Sequence, residues 1–203
     1  MLLRAISALV NFVMRGAVFL AIAILGGFGS AWVMIHSGSQ LTAATAGPWV
    51  TWTNAGRMDA DPYTRAHTVR LGLLPLNSTL ALTYQAQTDA AGQRIHSSCV
   101  YTVDVSGLDA EWWSIAVFDD RGGLIRNPAN RYAFNASTVM RDPDGGARVV
   151  LSREARPGNW LPTTGAGRLI LSLSVQDPRW VTAAVSEPGR DRALPEIRTV
   201  SCR

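Results

Sequence analysis

The pattern of apolar and charged positions divides the chain into two parts. No Asp, Glu, Lys or Arg occurs between Arg15 and Arg57, and residues 16–35 form a nearly unbroken apolar run of 20 residues. A helix of that length rises about 30 Å, which matches the hydrocarbon core of a bilayer. The sequence therefore predicts a single N-terminal transmembrane helix, with an anchor that comprises residues 1–36.

The charges that flank this segment predict its orientation. Arg4 and Arg15 precede the apolar run, whereas the residues that follow it carry no charge as far as Arg57. Positive residues near a span stay on the cytoplasmic side, so we expect a cytoplasmic N-terminus and an external C-terminal domain. A cleaved signal peptide is the alternative, because Ala44-Thr45-Ala46 resembles a cleavage site. The apolar run exceeds the ~7–15 residues of a signal-peptide core, which favours an uncleaved anchor.

Small side chains recur at helical spacing inside the predicted span. Gly26 and Ser30 are four residues apart, as are Gly27 and Ala31. Such spacing lets another membrane helix approach closely, so these four residues are candidates for contact with another membrane-protein subunit. The alternative is that they reflect the general abundance of small residues in membrane helices.

Beyond the anchor the pattern is that of one soluble domain. Residues 37–48 are small and polar and predict a flexible linker, and residues 49–203 are enough for one domain. Asp61 as the N-cap, Pro62 at the first helical position and Gly72 as a stop predict one short helix.

From residue 79 onward, apolar and polar residues alternate with the period of β-strands. Gly, Asp and Pro clusters separate the alternating segments, as expected for turns. This pattern predicts a mainly β fold, an antiparallel jelly-roll-like β-sandwich with one or two short helices. The predicted strands lie within residues 80–86, 95–105, 112–118, 138–140, 147–151 and 169–175.

Charge composition restricts the class of partner. The chain has 19 basic and 15 acidic residues, and two of the basic ones precede the span, so the remainder carries only +2. It has no basic stripe with interleaved aromatic residues, which argues against nucleic-acid binding. Every basic residue is Arg, which is typical of a GC-rich bacterial genome, and the external compartment is then the periplasm.

The two cysteines, Cys99 and Cys202, are candidates for a disulfide. In an oxidising compartment an isolated pair is most simply bonded, and the loop it closes would comprise about a hundred residues. Two unpaired thiols are the alternative.

Several segments taken together resemble a known family. They are GPWVTW at 47–52, DPYTRA at 61–66, LPLN at 74–77, the stretch from Glu111 to Phe134 that contains WWSIAVFD and NPANRY, and PGNWLPT at 157–163. Their order and spacing resemble the bacterial domain-of-unknown-function 1214 family. The resemblance implies a jelly-roll-like β-sandwich, usually downstream of a companion domain of the 1254 type. An apolar anchor stands in place of that companion here, and no established biochemical role comes with the family.

Two groups of residues are candidates for ligand binding. Tyr63, His67 and Arg70 share one face of the predicted short helix and could converge on a ligand, unless that face packs on the sandwich. The second group combines aromatic surfaces with planar hydrogen-bonding groups, as expected where a sandwich holds an envelope glycan or lipid. Its alternative role is to stabilise turns. The second group consists of Trp112, Trp113, Asn127, Asn130, Arg131, Tyr132, Asn159 and Trp160, of which Asn127, Arg131, Asn159 and Trp160 are the binding candidates. At least one of Trp112 and Trp113 is expected in the core, because adjacent strand residues face opposite sides.

Catalytic and metal-binding signatures are weak. The sequence has no G-x-S-x-G elbow, H-E-x-x-H motif or phosphate loop, so no catalytic residue and no cofactor is assigned. His96-x-x-Cys99 lacks the second half of a zinc site. Asp142-Pro143-Asp144-Gly145 begins like a calcium loop, but the twelfth position is Arg153 instead of Glu, so we expect a turn and no metal.

These observations favour a membrane-anchored periplasmic interaction domain. It would contact lipid of the inner membrane through its span, and serve as an accessory subunit of a membrane assembly or as a module that binds an envelope component. An enzyme that acts on an envelope carbohydrate or lipid is the alternative.

Overall fold

The computed structural model describes residues 2–38, 42–186 and 194–202. Within those residues the chain forms three helices and ten strands. The helices are α1 (Leu2–Ser37), α2 (Pro62–Arg70) and α3 (Pro178–Ser186), and the strands are β1 (Ala43–Ala46), β2 (Trp49–Trp52), β3 (Leu82–Ala86), β4 (Cys99–Asp104), β5 (Trp112–Asp119), β6 (Ala133–Asn135), β7 (Arg148–Ser152), β8 (Asn159–Pro162), β9 (Leu169–Gln176) and β10 (Glu196–Cys202).

Helix α1 is long and apolar enough to cross a membrane. Its segment Leu9–Ser37 has a mean hydropathy of 2.2, and none of the most apolar part is buried inside the protein. The helix extends beyond the predicted apolar run on both sides. It ends where the amide of Gly38 donates to the carbonyl oxygen of Met34 at 3.1 Å, with Gly38 at a φ of +68°. Glycine suits this position because the left-handed conformation is strained for other residues.

Part of the predicted linker belongs to the folded domain. β1 pairs with β2 in antiparallel register, with Thr45 opposite Val50 and Ala46 opposite Trp49. The folded domain therefore includes residues before Trp49, which differs from the predicted boundary. Pairing of an edge strand uses backbone groups, so small side chains do not prevent it. Residues 39–41 of that linker, and residues 187–193 and 203 of the predicted domain, lie outside the described residues.

The short helix predicted after Asp61 is confirmed as α2. The Asp61 carboxylate accepts hydrogen bonds from the amides of Tyr63 and Thr64, both at 3.0 Å. These bonds satisfy amides that have no partner inside the helix. Gly72 follows the helix with a φ of +63°.

The mainly β prediction is confirmed, with two sheets in the described residues. One has six strands in the order β1-β2-β3-β9-β5-β6, and the other has four in the order β10-β4-β7-β8. Their pairs are antiparallel except β7 with β8, which is parallel with Val149 opposite Asn159. Residues 153–158 return the chain to the level of Val149 before β8 begins, so the purely antiparallel prediction is wrong at this edge.

Two predicted strands differ in extent. Residues 138–140 form no strand, because the side chain of Asn135 accepts hydrogen bonds from the amides of Ser137 and Thr138, both at 2.9 Å, and turns the chain. The strand predicted over 95–105 is regular only in β4, after a turn in which the amide of Cys99 donates to the carbonyl of His96.

The core lies between the two sheets. Alternate residues of β3, β5 and β9 in one sheet, and of β4 and β7 in the other, are buried in one cluster. Trp113 is buried in that core and Trp112 is only half-buried, as the alternation predicts. The predicted disulfide is confirmed as well: Cys99 and Cys202 are opposite each other in β4 and β10 and are bonded.

Candidate functional site

The three candidates on α2 have different environments. Tyr63 and Arg70 are exposed, whereas His67 is buried beneath the end of α1. The imidazole of His67 stacks on the indole of Trp52, with ring centroids 4.0 Å apart and an angle of 22°. Its Nδ1 atom lies 2.7 Å from the carbonyl oxygen of Ile35. We call these three residues, Ile35, Trp52 and His67, the α1–α2 joint.

The joint favours a neutral imidazole. A carbonyl oxygen only accepts hydrogen bonds, so the Nδ1–H group of His67 is the donor. Burial lowers the pKa of His67, the carbonyl of Ile35 opposes this shift, and the nearby basic side chains of Arg70 and His36 lower the pKa further. The net pKa lies below the ordinary value, so the contact is made by an uncharged ring with one defined tautomer.

A groove lies beside the joint, on the face of the six-stranded sheet that is opposite to the core. Thr83, Gln85 and Ser172 alternate with buried residues of β3 and β9 and form its floor. We call this cleft, which has a volume of about 300 Å³, the α2 groove. Its walls are mainly apolar, and they include Trp52, His67, Leu73, Leu74, Leu76 and Phe118.

Apolar side chains are exposed around the α2 groove. Leu74 is 99% exposed, and Leu73 and Leu76, which also line the groove, are exposed as well. Single exposed apolar residues are ordinary on soluble proteins, but a contiguous patch next to a cleft marks an interaction surface.

The second group of candidates is organised around two buried amides. The side-chain NH₂ of Asn127 donates to the carbonyls of Ile125 at 3.0 Å and Arg131 at 2.9 Å. Its side-chain oxygen accepts from the amide of Arg131 at 3.1 Å. These bonds close a turn in which Asn130 has a φ of +48°. The side chain of Asn127 therefore stabilises the backbone conformation of residues 125–131.

Asn159, the first residue of β8 in the four-stranded sheet, has a comparable role. Its side-chain oxygen accepts from the amide of Met140 at 2.7 Å, and its NH₂ donates to the carbonyls of Met140 at 2.8 Å and Arg148 at 3.0 Å. The neighbouring indole of Trp160 donates to the carbonyl of Ser152 at 3.0 Å. Both side chains join β8 to the segments beside it.

Arg131 connects the two halves of this group. Its Nη1 atom lies 3.5 Å from the carbonyl oxygen of Trp160, and its guanidinium lies 5.5 Å from the centre of the Phe134 ring. Arg131 itself is exposed, so its remaining donors face solvent. The family-like segments NPANRY and GNWLP thus meet in space, and the charged group that they present is this guanidinium.

The surface of α1 around Gly26 and Gly27 is open. A side chain added at Gly26 or Gly27 would meet no atom within 4 Å. The hydroxyl of Ser30 donates to the carbonyl of Gly27 at 3.0 Å, so this polar group is satisfied within the helix. Ala31 is half-buried.

Acidic and metal-ligating side chains are dispersed in the part of the chain that the structure describes. There, no three of His, Cys, Asp and Glu form a group that could hold a metal ion. Asp142 begins a turn as predicted, with its amide donating to the carbonyl of Gly146 at 2.7 Å, and its carboxylate pairs with Arg148 at 3.1 Å.

The sequence analysis did not single out Trp52 or the leucines of the α2 groove as candidates. A signal was present, because residues 71–76 read LGLLPL and place three leucines shortly after the helix stop at Gly72. A connecting segment is usually polar, so such a run indicates contact with another apolar surface.

Comparison with known proteins locates the family match in the sandwich. Residues 80–179 match the model of a family described as protein of unknown function (DUF1214). No curated protein matches the chain.

One solved structure is similar in fold, and a second aligns with part of the chain. The VPA0106 protein from Vibrio parahaemolyticus has 19% sequence identity and a TM-score of 0.60, over 89% of this chain and 44% of that protein. This chain therefore spans less than half the length of that protein. An uncharacterised protein from Burkholderia cenocepacia has 18% identity and a TM-score of 0.37, over 61% of this chain and 30% of the other.

Proposed function

Because the chain belongs to the DUF1214 family through residues 80–179, and that family is described without an activity, we propose a function from the geometry of the molecule. The protein is a membrane-anchored periplasmic interaction domain. It acts as an accessory subunit of an inner-membrane assembly, or as a module that binds an envelope component.

The observation that carries this proposal is the α1–α2 joint. A helix long and apolar enough to span a bilayer ends at Ser37, and its last turn is bonded to the sandwich through Ile35 and His67. Stacking of His67 on Trp52 extends the contact to β2. A sandwich held in this way has one orientation relative to the bilayer, which suits a domain that presents fixed surfaces to partners.

The proposed topology has two supports. Arg4 and Arg15 precede the apolar segment, which favours a cytoplasmic N-terminus. The Cys99–Cys202 disulfide fits the oxidising periplasm, where such bonds persist. The jelly-roll connectivity implied by the family resemblance is part of the proposal, supported by two sheets around one core.

Reporter fusions test the topology. Alkaline phosphatase fused after Arg203 is expected to be active, and the full-length chain is expected to stay in the membrane during alkaline carbonate extraction. A mature N-terminus near Gly47 would contradict the anchor and show that the apolar segment is a signal peptide.

A pull-down from native membranes in mild detergent tests the interaction role. Gly26→Leu/Gly27→Leu changes the open surface of α1, and Arg131→Ala removes the exposed guanidinium next to Trp160. Arg141→Ala is the matched control, because Arg141 is also exposed and also donates one bond to a backbone carbonyl, that of Gly145 at 3.2 Å. Loss of a partner with the glycine pair would indicate an assembly subunit, and loss with Arg131→Ala alone would indicate recognition by the sandwich.

The enzyme alternative has its own outcome in the same preparation. A partner-free protein that hydrolyses an envelope glycan or lipid, and loses this activity on substitution of one Asp or Glu, would overturn the interaction role.

A further inference from the structure

We infer that the α2 groove binds one acyl chain of a phospholipid from the periplasmic leaflet of the membrane that anchors the protein. This inference rests on the proposed function, because it requires α1 to span that membrane. It adds a lipid-binding site on the sandwich itself, separate from the lipid contacts of α1.

The position of the groove follows from the α1–α2 joint. His67 lines the groove, and its ring is hydrogen-bonded to the carbonyl of Ile35, the last residue of the apolar run. The groove is therefore adjacent to the point where α1 leaves the hydrocarbon core. At this depth the available apolar material is the upper part of the lipid chains.

The composition of the rim fits that environment. Leu73, Leu74 and Leu76 are exposed on the loop that forms one side of the groove. This loop connects α2 to β3, so it is held close to the membrane by the same joint. Exposed leucines at the interface bury apolar area in lipid, and each contributes favourably in proportion to that area.

The shape and polarity of the groove favour a chain over a headgroup. A volume of about 300 Å³ is at the lower end of the ~300–1,000 Å³ that ligand pockets have, which suits one chain better than a whole phospholipid. Trp52 and Phe118 supply flat apolar walls. The phosphate would remain outside the groove and would pair with the exposed guanidinium groups of Arg65 and Arg70 on α2, the helix that contributes His67 to the groove.

Fluorescence quenching by brominated lipid tests this site in the full-length protein. The protein is placed in nanodiscs of phosphatidylglycerol with or without bromine on the acyl chains. Trp52 lines the groove and Trp32 is an exposed residue of α1. The emission of Trp52 is the emission of the Trp32→Phe variant minus that of the double variant Trp32→Phe/Trp52→Phe. The emission of Trp32 is the emission of the Trp52→Phe variant minus that of the same double variant.

Both tryptophans are expected to lose most of their emission in brominated nanodiscs. Ser172→Phe fills the floor and Leu76→Glu makes the rim charged, so either change is expected to restore emission from Trp52 while Trp32 stays quenched. Met140→Glu is the control, because Met140 is 62% exposed and Leu76 is 57% exposed, yet Met140 does not line the groove. Circular dichroism and the intact disulfide establish that each variant is folded.

Three results would overturn the inference. Quenching of Trp32 without quenching of Trp52 would show that α1 lies in the bilayer and that no acyl chain occupies the groove. Protection of Trp52 that appears only at high protein density, together with a cross-linked dimer, assigns the groove to a second copy of the chain. Absence of quenching at both positions shows that α1 is not in the bilayer, and the proposed function then fails with it.

Discussion

The Nδ1 atom of His67 lies 2.7 Å from the carbonyl oxygen of Ile35, so a side chain of α2 is bonded to the last turn of α1. Carbonyl groups in the last turn of a helix have no partner inside the helix. The His67 ring satisfies one of them and is itself covered by Trp52. One histidine thus joins the apolar helix to the sandwich.

His67→Ala is expected to loosen this contact. The substitution removes the hydrogen bond to Ile35 and the stacking on Trp52, and together these changes destabilise by about 1–3 kcal/mol. Hydrogen exchange in α2 and at the end of α1 is expected to become faster. Arg70→Ala is the control on the same helix, because its exposed side chain does not make this contact. Unchanged exchange in His67→Ala would show that the joint contributes no rigidity.

The joint is also expected to weaken at acidic pH. Because the pKa of His67 is lowered in the folded protein, the unfolded chain binds a proton first as pH falls. The contribution of neutral His67 is therefore complete above about pH 6.5, the unfolded value, and is lost progressively as pH falls below it. Denaturant unfolding of the wild type between about pH 5 and about pH 8 measures this loss. His67→Gln is expected to flatten the profile in this range, and an equally steep profile would assign the effect to another group.

Removal of the disulfide is expected to destabilise the sandwich. Cys99 and Cys202 join β4 to β10 across a sequence separation of 103 residues. Cys99→Ser/Cys202→Ser is expected to cost about 2–5 kcal/mol, mainly because the unfolded chain gains freedom. Chemical unfolding measures this cost, and peptide mapping without reductant detects the bond in the wild type. Alkylation of both thiols in protein isolated from membranes would contradict the pairing.

Asn159 is expected to matter more for stability than its neighbour Trp160. Asn159→Ala removes three hydrogen bonds, two with the backbone of Met140 and one with the carbonyl of Arg148, which cost about 1 kcal/mol each. Trp160→Phe removes only one bond, to the carbonyl of Ser152, and is expected to cost about 1 kcal/mol. Thermal unfolding of the two variants compares these effects. Equal losses of stability in the two variants would show that the indole of Trp160 contributes as much to the stability of this sheet edge as the hydrogen bonds of Asn159.

Elements with strong local signals could be predicted from the sequence. The apolar run gave α1, the Asp61-Pro62 cap and Gly72 gave α2, and alternation located β5 and β9. An isolated pair of cysteines likewise pointed to their bond. These features depend on neighbours within a few positions, or on the lack of any other cysteine, so the chain itself carries the information.

Roles that depend on distant contacts were not accessible in the same way. Tyr63, His67 and Arg70 share a helical face by spacing, yet only His67 is buried, because the end of α1 and Trp52 cover it. The side chain of Asn159 is hydrogen-bonded to the backbone of Met140, 19 residues away in the sequence. The guanidinium of Arg131 donates to the carbonyl of Trp160, 29 residues away. Periodicity does not encode which distant surface covers a side chain.

The sequence by itself determined that the chain has an apolar helix near its N-terminus, a mainly β part after it and a pair of cysteines. Only the tertiary structure decided that residues 43–46 pair with β2, that β8 runs parallel to β7, and that the leucines of the α2 groove lie beside the end of α1. The physical reason is the range of the interactions. Local hydrogen bonding and hydrophobic period act over a few residues, whereas strand partners and grooves arise from packing between segments that are far apart in the chain.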